Sequence, residues 1–554
     1  VTRRASAAVH LVDALMAQGA THAFCVPGES YLAVLDAFVD AGGVRLITCR
    51  HEAAAANMAE AHGKLSGRPG LCFVTRGPGA THAAIGVHTA FQDSTPMILF
   101  VGQVARADRD REGFQELNYR AVFGGIAKWV AEIDQAERIG EYVARAFRVA
   151  LQGRRGPVVL ALPEDMLTDV VEMAAPALVE PARSADPALT GHVAAELARA
   201  RRPLVLLGGT GWTAEGVAAA ERFLDRHDIP AGTSFRSKDL LDNRHRCYAG
   251  DVGLGINPRL EARIAEADVI LAIGTRLGEN TTGGYTRLAV PRPKQQLVHI
   301  HPGAEELGRV YQPDVASLCD LNAAAEALSG LPAPDRAVWA DWRAAARADY
   351  ESWVQPHADG AGLNLSRIFA ELDAAMGPET IFANGAGNYA AWLHRYVQHR
   401  PGLGAIWKTQ LGPASGAMGY GVPAAIAAKI VCPARDVIAV SGDGCFLMAS
   451  NELATAVHER AAVLFLVVNN SQYGTIRMHQ ERDYPGRVSA TGLTNPDFVA
   501  YAQSFGLKAW RVQAAQDFAS VLADALATTR SGQPALIELV TSPRDISPGR
   551  SLSA

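Results

Sequence analysis

Short apolar runs of five to eight residues alternate along this chain with longer stretches whose apolar positions recur at helical spacing. Runs of that length, rich in Val, Ile and Leu and bounded by Gly, Pro or polar turns, predict strands buried on both faces of parallel sheets. In the first third they fall at "HAFCVPG", "RLITCR", "GLCFVTRG", "PMILFVGQ" and "PVVLALP", with helices over Tyr31–Ala41 and Glu52–Leu65. A second block contains "RRPLVLLGG", "ADVILAIGTR" and "QQLVHIHPG". A third contains "ETIFANGAG", "GAIWKT", "RDVIAVSGDG", "AAVLFLVVNN", "KAWRV" and "PALIELVTS". "VEMAAPALVEPARSADPAL" and "LSGLPAPDRAVWADW" interrupt the alternation with Pro and Ala and read as linkers. The pattern predicts an α/β protein of three doubly wound parallel-sheet domains, over 1–170, 190–332 and 360–545.

Composition narrows the function classes. A net charge of -5 over 554 residues leaves no basic excess to neutralise phosphates, so a non-specific nucleic-acid partner is not expected. Seven scattered cysteines without a C-x-x-C pair read as reduced thiols and point to a cytoplasmic protein. The N-terminus reads as an amphipathic helix, and "AAVLFLVV" is too short to span a bilayer.

The chemistry is carried by "GDGCFLMASNELATAVHERAAVLFLVVNN", Gly442–Asn470. Asp443 sits at the end of one predicted strand and Asn470 at the end of another, with "LMASNELATAVHER" predicted as the helix between them. In a strand–helix–strand unit both tips emerge at one sheet edge, where open parallel sheets bind ligands. Gly442 and Gly444 permit close backbone approach to an anion, and the two oxygen-bearing side chains suit Mg²⁺ with diphosphate oxygens and water. Either fragment alone is a common turn. Together they resemble the diphosphate motif of thiamine-diphosphate (ThDP) enzymes, with 24 residues between Gly444 and Asn469.

Further stretches carry the same resemblance. "RHEAAAANMAE" is similar to the family segment whose glutamate, here Glu52, hydrogen-bonds the aminopyrimidine ring and favours its imino tautomer. "GPGATH" matches a segment that places Gly79 at the cofactor. "GAMGY" supplies the Gly416 carbonyl and Met418 as the wedge between the two rings. "NGAGNY" offers Gly387, Asn388 and Tyr389 to the diphosphate. The resemblance implies metal ligation by Asp443, Asn470 and the Gln472 carbonyl, and cofactor contacts from Cys445, Tyr473 and Gly474. It spans the whole chain in the order pyrimidine-binding, central and diphosphate-binding domains. The acetolactate synthase large-subunit branch looks nearest.

That branch decarboxylates a 2-oxo acid and ligates or protonates the product. It works as a homodimer at least, commonly a tetramer, in which one subunit's first domain completes the other's site. A simple decarboxylase, a 2-hydroxyacyl-CoA lyase and a non-catalytic ThDP-binding homologue are the alternatives. Substrate-side candidates are Glu29 and Gln115 with His479 as catalytic groups, and Phe114 and Lys128 as binding groups. His479 and Thr475 depart from the Trp and Met usual in acetolactate synthases. "GGTGWTAEG" is an incomplete dinucleotide turn, and the resemblance leaves FAD open.

Overall fold

The computed structural model describes residues 2–174, 176–333, 338–357 and 362–552. Part of each expected linker and the expected start of the third domain at residue 360 lie outside them. Among the described residues, three six-stranded parallel sheets follow one another along the chain.

The first comprises β1 (His22–Cys25), β2 (Arg45–Thr48), β3 (Gly70–Val74), β4 (Met97–Gln103), β5 (Trp129–Glu132) and β6 (Pro157–Pro163), in the order β2-β1-β3-β4-β6-β5. The second comprises β7 (Pro203–Leu207), β8 (Ala231–Ser234), β9 (Tyr248–Val252), β10 (Val269–Ile273), β11 (Gln296–His301) and β12 (Val315–Leu318), in the order β9-β8-β7-β10-β11-β12. The third comprises β13 (Ile381–Asn384), β14 (Gln410–Leu411), β15 (Val437–Gly442), β16 (Leu464–Asn469), β17 (Lys508–Val512) and β18 (Ala535–Val540). Its order, β14-β13-β15-β16-β18-β17, repeats that of the first sheet, whereas the middle sheet has the dinucleotide-fold order.

Two sequence expectations change. "GAIWKT" is not a strand: only Gln410–Leu411 pairs, because Trp407 is buried in the middle domain's core and its indole N–H donates to the Trp212 carbonyl at 3.1 Å. The single helix expected between Asp443 and Asn470 is broken into Asp443–Leu447, a 3₁₀ turn at Ser450–Glu452, and Leu453–His458. The break seats Glu452 in the interior, where its carboxylate accepts from the Arg50 amide at 3.0 Å.

The first and third domains share one core. Helix α1 (Glu52–Ser66) of the first packs against its neighbour α2 (Pro78–Asp93) and against α3 (Gly421–Val431) of the third. Ala54, Ala55, Ala56 and Ala59 on α1 and Ala424, Ala425, Ala427 and Ala428 on α3 are buried, and such small side chains let helix axes approach closely. The middle sheet packs its faces in separate clusters. A tight helix contact lies at Gly86 on α2, where a Cβ would lie 2.4 Å from the Ala56 Cβ and 2.6 Å from its carbonyl carbon. Gly86→Ala is therefore expected to destabilise the protein by about 1–3 kcal/mol, the usual range for overpacking. Thermal or urea unfolding of the two proteins checks this.

Candidate active site

Parallel pairing collects the strand C-termini at one edge of each sheet, and a crevice opens where consecutive crossovers leave in opposite directions. In the third sheet that point lies between β13 and β15, and four glycines line it. A Cβ on Gly385 would come within 2.5 Å of the Cys445 sulfur, and one on Gly442 within 2.8 Å of the Tyr389 ring. Gly387 and Gly416 have φ of 145° and 70°, conformations that side chains rarely adopt. The Cys445 thiol accepts from the Gly419 amide at 3.2 Å and the Tyr389 hydroxyl at 3.4 Å, tying "NGAGNY", "GAMGY" and "GDG" together. Burial pushes the Cys445 and Tyr389 pKa values up, so both stay neutral donors and acceptors. Met418 is half-buried against the core of this domain.

The two tips predicted to act together do meet. Gly442 pairs with Val468 across β15 and β16, so Asp443 and Asn469 leave the sheet side by side. Asn495, which the sequence reading missed, bridges them: its amide donates to Asp443 Oδ2 at 2.7 Å and Asn469 Oδ1 at 3.0 Å. Burial raises the Asp443 pKa, and hydrogen bonds from Asn495 and the Gly444 and Ser471 amides oppose that shift. Asn470 Oδ1 accepts from the Gln472 amide at 3.2 Å, and the Tyr473 ring occupies the space a Cβ on Gly444 would need. Helix α4 (Gly474–Asp483) starts there, and the Thr475 hydroxyl accepts from the Asn388 amide at 2.9 Å.

In the first domain, Glu52 opens α1 directly after β2, with the His51 ring capping the helix through the Ala53 amide at 3.1 Å. Glu52 Oε2 lies 2.9 Å from His82 Nδ1, while Oε1 faces Gly79, where a Cβ would stand 3.5 Å away. The His51 and His82 rings pack at 4.6 Å. Glu29 follows β1 and pairs loosely at 3.5 Å with Arg76, a buried cation that also pairs with Glu164 at 2.8 Å. Gln115 has φ of 65° and a buried Oε1 without a hydrogen-bond partner, and its carbonyl abuts Gly77. Phe114 beside it is 75% exposed.

One candidate stands apart. Lys128 precedes β5 and so lies at the opposite edge of the sheet from Glu29, Glu52 and Gln115. Its ammonium donates to the Gln152 carbonyl at 2.7 Å, and burial lowers its pKa to about 8. The structure removes it from the substrate-side group within this chain. His479 is half-buried on α4, a helix with no buried residue.

Comparison with known proteins agrees with this geometry. Residues 5–122 match the N-terminal TPP binding domain of thiamine pyrophosphate enzymes, 190–328 their central domain, and 385–539 their C-terminal TPP binding domain. The chain is 31% identical to an acetolactate synthase large subunit of Parasynechococcus marenigrum, over 96% of this chain and 87% of that one. It is also 31% identical to an acetolactate synthase of Bacillus subtilis, over 92% and 89%. An acetolactate synthase isozyme 2 large subunit of Escherichia coli is 29% identical over 90% and 89%. The chain belongs to the thiamine pyrophosphate enzyme family.

Its residues fit ThDP. Glycine at these turns lets the backbone tips come close together, and the tips offer oxygen ligands, including a buried Asn495 Oδ1 that has no hydrogen-bond partner. A ligand-sized space lies at the switch point of the middle sheet, between β7 and β10. This cavity of about 820 Å³ is bounded by all three domains. Gly209 (φ 77°) and Gly274 approach there so closely that a Cβ on Gly209 would sit 2.1 Å from the Gly274 carbonyl oxygen. No helix among the described residues is long and apolar enough to cross a membrane.

Asn495→Ala should unfasten the two tips and weaken ThDP binding about tenfold, the cost of roughly one charge-assisted hydrogen bond. Titration calorimetry of the full chain with ThDP measures it.

Proposed function

We propose that this chain is a ThDP- and Mg²⁺-dependent C–C lyase or carboligase acting on 2-oxo acids. The observation that carries the reading is the pair of strand tips, Asp443 and Asn469–Asn470, fastened side by side by Asn495 beside a glycine-lined crevice. Asp443, Asn470 and the Gln472 carbonyl would hold Mg²⁺, a hard cation that takes oxygen ligands and keeps water. Gly442, Gly444, Gly474 and Asn388 would face the diphosphate. Gly416 and Met418 would position the ring system. Bound ThDP supplies a carbon nucleophile and an electron sink for a carbonyl carbon.

Glu52 is the acid–base residue in this reading. His82 fixes one carboxylate oxygen and leaves Oε1 as the atom at which a proton is held. Since Glu52 and Asp443 belong to different domains, a homodimer supplies Glu52 from one subunit to the other's third domain. Gln115, Phe114 and His479 would face the substrate. The relatives' names favour ligation of two 2-oxo acids to a hydroxy acid. A second reading is simple decarboxylation, with Glu29, which follows β1 at the same strand-tip edge as Glu52, relaying protons to the product carbon. FAD or another nucleotide would fit the cavity at the middle sheet, beside the Gly209 turn.

Mass spectrometry of products from a panel of 2-oxo acids, with and without acceptor carbonyls, separates ligation from decarboxylation. Absence of any product across the panel, with ThDP and Mg²⁺ bound, would overturn both readings. Glu52→Gln should lower turnover about a hundredfold or more while ThDP still binds. Asp443→Ala should instead weaken ThDP and Mg²⁺ retention, and unchanged affinity would remove the proposed metal site.

A further inference from the structure

The segment Gly412–Tyr420 carries both Gly416 and Met418, yet it is irregular and contains two glycines in the left-handed region, Gly416 and Gly419. Such a stretch does not define its own conformation. It is held from outside, by charged side chains of the first domain. The Asp93 carboxylate, at the end of α2, accepts from the Ala414 amide at 2.9 Å and the Ser415 amide at 3.2 Å. Lys64, near the end of α1, donates to the Gly412 carbonyl at 3.2 Å and pairs with Asp93. Glu60, one turn back on α1, pairs with Lys64 at 2.9 Å and accepts from the Tyr420 hydroxyl at 2.6 Å and the Thr95 hydroxyl at 2.6 Å.

Each of these side chains is almost fully buried, with 8% of Lys64, 3% of Asp93 and none of Glu60 exposed. Burial works against the Lys64 ammonium, but Asp93 and Glu60 outweigh it and hold its pKa above the usual value. Burial raises the Glu60 pKa. Two buried carboxylates around one ammonium are a costly device for mere cohesion, since apolar residues of similar volume often serve as well or better. What the ions do that apolar groups cannot is bind specific backbone amides and carbonyls at fixed positions.

We propose that Asp93 and Lys64 form a positioning latch, through which the first domain sets the conformation of the cofactor-facing loop of its own chain's third domain. The latch acts through the loop and does not itself contact ThDP or the 2-oxo acid, although Lys64 and Asp93 also line the cavity at the middle sheet. It rests on the reading that Gly416 and Met418 contact ThDP. Because α1 begins at Glu52 and ends in the latch, one rigid helix of about 20 Å spans from the acid–base residue to the loop anchor.

The test measures ThDP affinity with saturating Mg²⁺ by calorimetry on the cofactor-stripped full chain, together with kcat, substrate KM and the unfolding midpoint. Asp93→Asn, which removes the charge that two loop amides bind, should weaken ThDP about tenfold or more with substrate KM unchanged. Glu60→Gln also removes a buried charge but keeps an amide oxygen that can accept from the Tyr420 hydroxyl and leaves the loop amides on Asp93, so its ThDP affinity should stay near the parent's. Equal losses in the two variants would reduce the network to general cohesion and overturn the latch, as would parental affinity in Asp93→Asn. If Asp93→Asn does not fold, the charge-matched double variant Lys64→Met/Asp93→Asn carries the same expectation and the same overturning result. Met418→Ala separates the two levels. Unchanged ThDP affinity there sinks the reading of the loop itself, whereas a loss there with none in Asp93→Asn sinks only the latch.

Discussion

Close approach between strand tips at the switch points is the constraint from which the rest of this molecule follows. Parallel pairing puts every strand's C-terminus at one edge, and the crossover order opens a crevice there. In each sheet the crevice is walled by glycine against a neighbouring tip: Gly28 against Thr75, Gly209 against Gly274, Gly385 against Cys445. A side chain at any of these positions would force the tips apart. The first and third sheets share one strand order, and in the proposed function their crevices would hold the two halves of the ThDP machinery, the Glu52 carboxylate in one and the diphosphate seat in the other.

Within the chain, the first and third domains are held together by helix packing. Alanine-rich faces of α1 and α3 bring the first and third domains into a single core, and the Glu60–Lys64–Asp93 network threads the same interface with directional bonds. Apolar contact supplies adhesion there, and the ions supply position. The middle domain meets the third through a different device: Asp239 accepts from the Thr409 and Gln410 amides, each at 3.0 Å, while Lys238 caps the His394 and Val397 carbonyls.

Much of this was legible in the sequence where the signal is local. Strand cores such as "AAVLFLVV" and tips such as "GDG" encode their own geometry through apolar runs and glycine, so the sheet edge bearing Asp443 and Asn470 could be read directly. "GAIWKT" misled because an apolar run says only that it is buried. Trp407 is buried in a neighbouring domain's core, not in a sheet. The interrupted helix after Gly444 could not be read because the tertiary seat of Glu452 overrides helical propensity. Asn495 lies in a loop beyond α4 with no motif around it, and its role exists only once β15 and β16 are paired. The position of Lys128 was not legible for the opposite reason: its neighbourhood in sequence resembles a substrate site, but the chain turns back and starts β5 from the far edge.

The division of cores sets how this protein can change over time. The middle sheet keeps its two faces in clusters of their own, entered from outside by Trp407, so most residues there can drift, but the cavity at its glycine turn is also lined by Lys64, Asp93 and Ser415 and cannot be refitted without touching them. The first and third domains have no such independence. A bulkier residue on the alanine-rich faces where α1 meets α3 needs a compensating change across the boundary, so these two segments must be inherited together, and a chimera joining the first third of one relative to the last third of another inherits mismatched helix faces.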